Sequence, residues 1–296
     1  MEQAHYVILE TRGVLAVAGE DARSWLQGLI SNDIRKVTNS QAIYAALLTP
    51  QGKFLHDFFI VQHENLFLLD CEASRIDELE ARLARYRLRA QVTLAKWDWH
   101  CVALNGQAAA LLGLDEEAGS CAAFFGGMVY RDPRLAEIGA RAVLPREALA
   151  QALLNAGLDP SSYEDYDLLR LSLALPDGSR DIAVEKGFLL ENNFDDLNGV
   201  DFEKGCYIGQ ELTARTKFRA TIRKRLFRVD VSGPLPEPGT TISFADAPAG
   251  TMCSGRGRIG LALLRLDAVQ KAAERGESLF AGEARLTPVK PSWANF

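Results

Sequence analysis

The feature that most limits the fold of this chain is a change of pattern near residue 224. Upstream, segments with helical spacing alternate with segments of strand spacing. Downstream, Gly and Pro become frequent in SGPLPEPGT, and short runs such as FRVDV, TTISF, RIGLALLR and EARLTPV follow one another between turn residues. Short strands at close spacing protect their edges best by closing on themselves, so residues 224–296 are expected to form a small antiparallel β-barrel. A chain of 296 residues also exceeds one compact core, which calls for a further unit ahead of the barrel. The expected domains are residues 1–223 and 224–296, with the first broken into two subdomains near residue 95.

Within the first part, residues 7–18 form two short extended runs around Gly13, a hairpin by pattern. An amphipathic helix capped by Glu20 or Asp21 follows, carrying Trp25, Leu26, Leu29 and Ile30. The runs IYAALL, FLHDFFIVQ and LFLLDC are separated by Pro50-Gln51-Gly52 and His63-Glu64-Asn65, which predicts a three-strand meander. Ile76, Leu79, Leu83 and Tyr86 then recur at helical spacing, and a strand follows around Val92 to Leu94. Strand and helix patterns continue to alternate as far as Leu175. The fold class is therefore α+β with antiparallel character, ending in the barrel.

Composition narrows the function. With 48% hydrophobic and 24% charged residues, the chain is an ordinary globular protein. The segment MEQAHYVILETRG shows no basic region followed by an apolar one, and no run approaches the roughly 18 apolar residues that cross a bilayer. The five cysteines are odd in number, widely spread and without a CxxC pair, which suits a reducing compartment. A cytoplasmic protein with no membrane partner is expected. The net charge of -6 argues against a surface that is wholly a nucleic-acid platform.

Several motifs lead nowhere. Gly255, Gly257 and Gly260 satisfy GxGxxG, but they lie among strand-like runs too near the C-terminus for a nucleotide-binding half, so a glycine-rich β turn is expected. His5, His56, His63 and His100 show no zinc-ligand spacing, and neither GxSxG nor GxxxxGK[ST] occurs.

The chemistry concentrates between Glu191 and Arg225, in ENNFDDLNGVDFEKGCYIGQELTARTKFRATIRKR. Gly205 and Gly209 flank Cys206 and permit a tight turn with close approach to the sulfur. A helix predicted to start just beyond, and Lys204 nearby, both favour the thiolate, the nucleophile and metal ligand among sulfur forms. The alternative for Cys206 is a small apolar residue filling a turn. Arg215, Lys217, Arg219, Arg223, Lys224, Arg225 and Arg228 fall within fourteen residues that contain no acid. They form either a solvated face or a surface for a polyanionic ligand tail, RNA or an acidic protein. Glu191, in an Asn- and Gly-rich connection, is either a surface acid or a carboxylate placed to accept paired hydrogen bonds from an amino-pyrimidine edge.

KGCYIGQE followed by ARTKFRATIRKRL resembles the signature of the YgfZ/GcvT-type folate-binding proteins, which include CAF17-like iron-sulfur cluster assembly and repair factors. GVLAVAGEDARSWLQGLISNDI and LLTPQGKFLHDFFI are similar to other segments of that family, which is related to the aminomethyltransferase T-protein of glycine cleavage. The resemblance implies an aminomethyltransferase-like folate-binding domain of two interlocked α+β parts plus the barrel. It implies tetrahydrofolate as cofactor and iron-sulfur client or carrier proteins as partners, tRNA-modifying radical enzymes among the clients. Carried over, Cys206 is the functional thiol, and Glu191, Asn193, Asp57, Lys204, Tyr207, Arg215 and Arg219 are folate-site positions. His56-Asp57 stands where the aminomethyltransferases carry an Asp-Asp pair, so their catalytic acid is missing. A folate-dependent aminomethyltransferase or demethylase is thus the alternative, and an RNA-binding module with weak contact through residues 215–228 a further one.

Overall fold

The computed structural model describes residues 4–218 and 221–296. The chain divides into two compact units, each assembled from separate segments. One comprises Met1–Leu48, Leu55–Tyr166 and Leu197–Ile208; the other comprises Thr49–Phe54, Asp167–Asp196 and Gly209–Phe296.

The first unit is built on two sheets. Its strands are β1 (His5–Ile8), β2 (Arg12–Ala18), β3 (Ile43–Leu48), β4 (Phe54–His63), β5 (Leu66–Glu72), β6 (Thr93–Trp97), β7 (Trp99–Asn105), β8 (Cys121–Phe124), β9 (Gly127–Arg131), β10 (Ala140–Pro145) and β11 (Asp159–Pro160). A five-stranded sheet has the order β3-β4-β5-β2-β6, and a six-stranded sheet the order β11-β1-β7-β10-β9-β8. The meander β3-β4-β5 follows its sequence pattern. All six residues of β3 and the first eight of β4 are buried, which is why these segments, His56 and Asp57 apart, are apolar without alternation.

The expected hairpin around Gly13 does not form. The chain does turn, with the Arg12 N–H donating to the Leu9 carbonyl at 2.9 Å. However, β1 pairs with β7 and β11, whereas β2 pairs with β5 and β6. The chain passes between the sheets a second time at Asp98, from β6 to β7, so the two crossings interlock the sheets. Alternation in a strand specifies which face is buried and not which neighbour it takes.

Charged residues fill part of the space between these sheets. Asp70 on β5 accepts from Arg12 on β2 at 2.7 Å, from Arg141 on β10 at 2.7 Å and from the Tyr130 hydroxyl on β9 at 2.9 Å. Against the cost of burial, the two guanidinium groups hold the Asp70 carboxyl well below its usual range. Arg12, Arg134 and Arg141 also lie over the Phe59 ring, at 5.5, 4.8 and 4.2 Å from its centroid.

Four helices lie in this part of the chain: α1 (Ala22–Gln27), α2 (Ile76–Ala84), α3 (Ala108–Leu111) and α4 (Leu149–Asn155). As its spacing requires, α2 buries Leu79 and Leu83. Helix α1 ends at Gln27, before the expected Leu29 and Ile30, and the Asp21 side chain, instead of capping it, accepts from the Gln91 N–H at 2.8 Å. Further helices are α5 (Tyr163–Ser172), α6 (Gly178–Asp181) and α7 (Gln210–Phe218).

In the second unit, β12 (Lys224–Ser232), β13 (Thr241–Phe244), β14 (Ala247–Arg256), β15 (Ile259–Arg265), β16 (Leu279–Ala281) and β17 (Ala284–Val289) close in the order β12-β15-β14-β13-β16-β17. This is the expected barrel, with Val229, Ile242, Met252, Leu264 and Leu286 in its core. Its sequence also holds a helix that the strand-like reading overlooked, α8 (Leu266–Arg275), which lays Ala268 and Ala272 on that core. The GxGxxG glycines form the β14–β15 hairpin: Arg256 pairs with Ile259 across a two-residue turn in which Gly257 has φ +60°. Fully buried Arg170 on α5 donates to Asp167, Asp181 and Ser254, fastening the helical segment to β14.

Candidate functional site

Cys206 is exposed, and the other four cysteines are buried. Burial pushes the thiols of Cys71, Cys121 and Cys253 up to about 12 and raises that of Cys101 well above its ordinary value. Only one thiol is therefore presented for chemistry at neutral pH.

The Cys206 loop belongs to the first unit and is fastened along α1 and the turn after it. The Asp201 N–H donates to the Ser31 carbonyl at 3.0 Å and the Ile208 N–H to the Gly28 carbonyl at 3.2 Å. Between these, the Lys204 ammonium donates to the carbonyls of Gln27 at 2.7 Å and Ile30 at 2.6 Å, while the Gln27 amide donates back to the Lys204 carbonyl at 3.0 Å. Burial brings the ammonium down to about 8, against the opposing charges of Asp33 and Asp201. Lys204 is thus spent on the end of α1, its Nζ 4.9 Å from the Tyr207 ring centroid. Gly205 has φ +94° with open space where a Cβ would stand, so backbone conformation is what demands glycine there. The predicted helix, α7, begins four residues further along the chain, at Gln210.

Glu191 lies in the second unit, in a 3-10 turn (Leu190–Asn192) that ends on left-handed Asn193. Its carboxyl is half-buried and raised by that burial, opposed by the charges of Lys224 and Lys53. Among the described residues nothing hydrogen-bonds to it. The Lys53 ammonium donates to the Lys186 carbonyl at 2.9 Å and sits 3.1 Å from the Phe188 ring centroid. Lys53 and Phe188 were not found from the sequence, where Lys53 figures only as the residue after a turn.

Asn193 is fully buried; its amide donates to the Leu226 carbonyl at 2.9 Å and its oxygen accepts from Arg225 at 3.4 Å. The side chain therefore holds the Glu191 turn against β12. The acid-free basic run is partly paired with acids on either side of it. Arg225 pairs with Asp195 at 2.7 Å, Lys217 with the same carboxylate at 3.0 Å, and Arg228 with Asp230 at 2.9 Å. Arg215, Arg223 and Lys224 are exposed, and Arg219 lies outside the described residues.

Asp57, in the first unit, is buried and accepts the Tyr44 hydroxyl at 2.9 Å. Beside it, His56 is buried with Nε2 unpaired, 3.8 Å from Glu78 Oε1. Glu78 is already claimed by Arg75 at 2.7 Å and Arg82 at 2.8 Å. Burial and the charge of Arg75 bring the imidazole down to about 3, with Glu78 opposing. A neutral, buried imidazole of that kind is no substitute for a catalytic carboxylic acid near pH 7.

Residues 223–296 match the family described as CAF17, C-terminal beta-barrel domain, and residues 6–142 match the GCVT N-terminal domain. Among curated relatives, the human iron-sulfur cluster assembly factor IBA57, mitochondrial, is 36% identical over 86% of this chain and 76% of its own length. The mouse protein of the same name is 32% identical over 96% of this chain and 84% of its own. The Neurospora crassa homolog is 30% identical over 91% and 72%. Aminomethyltransferase T of the glycine cleavage system from Bartonella henselae is similar in structure, with a TM-score of 0.78, 18% identity, and coverage of 99% of this chain and 86% of that one. That likeness establishes the fold.

The relatives' names overturn the cytoplasmic expectation, because each is mitochondrial. The features behind that expectation were free thiols and the lack of a long apolar run. They report redox state and membrane crossing, and neither identifies a compartment. Among the described residues no helix is long and apolar enough to cross a membrane.

Proposed function

We propose that this chain, which belongs to the IBA57 family of iron-sulfur cluster assembly factors, takes part in assembling [4Fe-4S] proteins with Cys206 as its working thiol. The observation that carries this is the presentation of one exposed cysteine on a glycine turn whose two flanks are tied to the end of α1 and the turn after it, while the other four thiols are buried. The cluster is substrate here. One thiolate supplies one of the roughly four ligands such a cluster takes, and among the described residues no group of three His, Cys, Asp or Glu is arranged to hold a metal ion. Any cluster met by Cys206 is therefore shared with the protein that delivers or receives it.

Tetrahydrofolate is the proposed ligand of the second unit. The residues there fit it: Glu191 is a half-buried carboxylate without a hydrogen bond from the described residues, as a partner for an amino-pyrimidine edge should be. Lys53 and Lys224 balance its charge, Asn193 positions its turn, and exposed Arg215 and Arg223 suit the carboxylates of a folate tail. Bound folate would supply reducing or one-carbon chemistry; the chain's own contribution is binding and orientation. The proposed clients include radical enzymes that modify tRNA. The aminomethyltransferase reading is disfavoured by the neutral imidazole at position 56.

The test is complementation in cells lacking their own copy, reading the activity of a [4Fe-4S] dehydratase. Cys206→Ser should leave a folded protein and no rescue; full rescue would remove the thiol from the account. Separately, calorimetric titration with tetrahydrofolate should show saturable binding that Glu191→Ala weakens. Absence of binding at millimolar ligand would remove folate without touching the thiol.

A further inference from the structure

Helix α1 is clasped at both ends. At its C-terminal end it holds the Cys206 loop, through Gln27 and Gly28. Asp21 before the helix and Trp25 within it hold the turn that follows α2: Asp21 accepts from the Gln91 N–H at 2.8 Å, and the Trp25 indole donates to the Tyr86 carbonyl at 3.0 Å. A six-residue helix spans about 9 Å, so this turn and the thiol loop are neighbours on the first unit.

The turn has an unusual surface. Arg85, Arg87 and Arg89 are exposed, and none has an ion pair or side-chain hydrogen bond among the described residues. No acid occurs between Arg82 and Lys96, in a chain of net charge -6. Between the arginines, Leu88 is 90% exposed and held at φ +43°, a backbone conformation unfavourable for a residue with a Cβ. Tyr86 is exposed as well. A strained turn that holds an apolar side chain in water among unpaired arginines has the composition of an interface whose other half is missing.

We propose that the turn Arg85–Arg89, with Trp25 at its base, is a docking surface for an acidic protein segment that offers an apolar contact to Leu88, and that this segment belongs to the protein that meets Cys206. The proposal rests on the assignment of Cys206 as the working thiol. Charge complementarity fixes the partner's sign: three exposed guanidinium groups in a stretch without an acid attract an acidic segment, which brings its owner beside the thiol. One leucine is too small an apolar area to anchor a membrane. A nucleic-acid backbone has no use for it, which leaves protein as the occupant.

The test uses the full chain with Tyr86→p-benzoylphenylalanine, irradiated in cells, and Phe280→p-benzoylphenylalanine on the barrel as control. The expected product is a protein labelled within a stretch rich in Asp and Glu, absent from the control and absent when Arg85→Glu, Arg87→Glu and Arg89→Glu are combined. The labelled protein, once purified, should bind the triple variant at least about tenfold more weakly than wild type, and should bind wild type more weakly in about 0.5 M salt. Labelling of RNA or lipid, labelling no greater than the control, or equal binding by wild type and triple variant overturns the proposal. Cys206→Ser should keep the salt-sensitive binding of this partner in its cluster-free form while failing to rescue the dehydratase. If Cys206→Ser rescues fully, the thiol assignment fails, whereas the labelling and binding results judge the docking surface by themselves.

Discussion

Replacing His56 tests the chemistry that separates this chain from the aminomethyltransferases. The imidazole is buried, its Nε2 is unpaired, and its pKa falls from 6.5 to about 3. Between those values the unfolded chain holds a proton that the folded chain refuses, so stability falls as pH drops through that window and carries almost no penalty above 6.5. At pH 5 the penalty is close to the distance from 6.5 multiplied by about 1.36 kcal/mol per unit, or about 2 kcal/mol. His56→Leu removes the titration while nearly keeping the volume, and whatever packing it loses is the same at both pH values. Chemical denaturation of both proteins at pH 7 and pH 5 should therefore show wild type losing about 2 kcal/mol more than the variant, since the carboxylates titrate alike in each. Parallel losses, within about 0.5 kcal/mol, would mean that His56 titrates normally. An imidazole titrating near neutrality beside Asp57 would restore an acid–base pair to that position and revive the aminomethyl-transfer reading.

Other expectations follow from the same geometry. Brief treatment of the native protein with iodoacetamide should alkylate Cys206 alone, and all five cysteines in denaturant; mass spectrometry showing early modification of Cys71 or Cys253 would contradict their burial. Lys204→Met leaves the Gln27 and Ile30 carbonyls without their charged donor, a loss of about 2–3 kcal/mol felt in the Cys206 loop. Faster hydrogen exchange at the Ile208 and Asp201 amides would register it, and unchanged exchange would refute the clamp. Gly205→Ala meets no clash but must hold φ +94°, which costs about 1–2 kcal/mol; a neutral effect on unfolding would show that the turn relaxes.

Much of the fold was legible because it is written in local pattern. The meander from Ile43 to Cys71, the Leu79–Leu83 stripe of α2 and the closure of the C-terminal strands depend on side-chain period and turn chemistry, which neighbouring residues specify. The partnering of β1 and β2 was not legible, because a strand's alternation is equally satisfied in either sheet. Helix α8 was hidden in a stretch of strands because the residues of LDAVQKAAER that it buries are Ala268 and Ala272, which carry little hydrophobic signal.

The site divides in the same way. The sequence by itself determined the octapeptide around Cys206, the glycine that its turn requires and the acid at position 191, since motif and backbone demand are local properties. Which of the five thiols is exposed was decided only by the tertiary structure, as were the placement of the Lys204 ammonium against α1, the pairing of Lys217 and Arg225 with Asp195, and the meeting of the Arg85–Arg89 turn with the helix that holds Cys206. Burial and long-range hydrogen bonds join groups far apart in the chain, as with Lys204 and Gln27 or Trp25 and Tyr86, so a local window of sequence does not contain both partners.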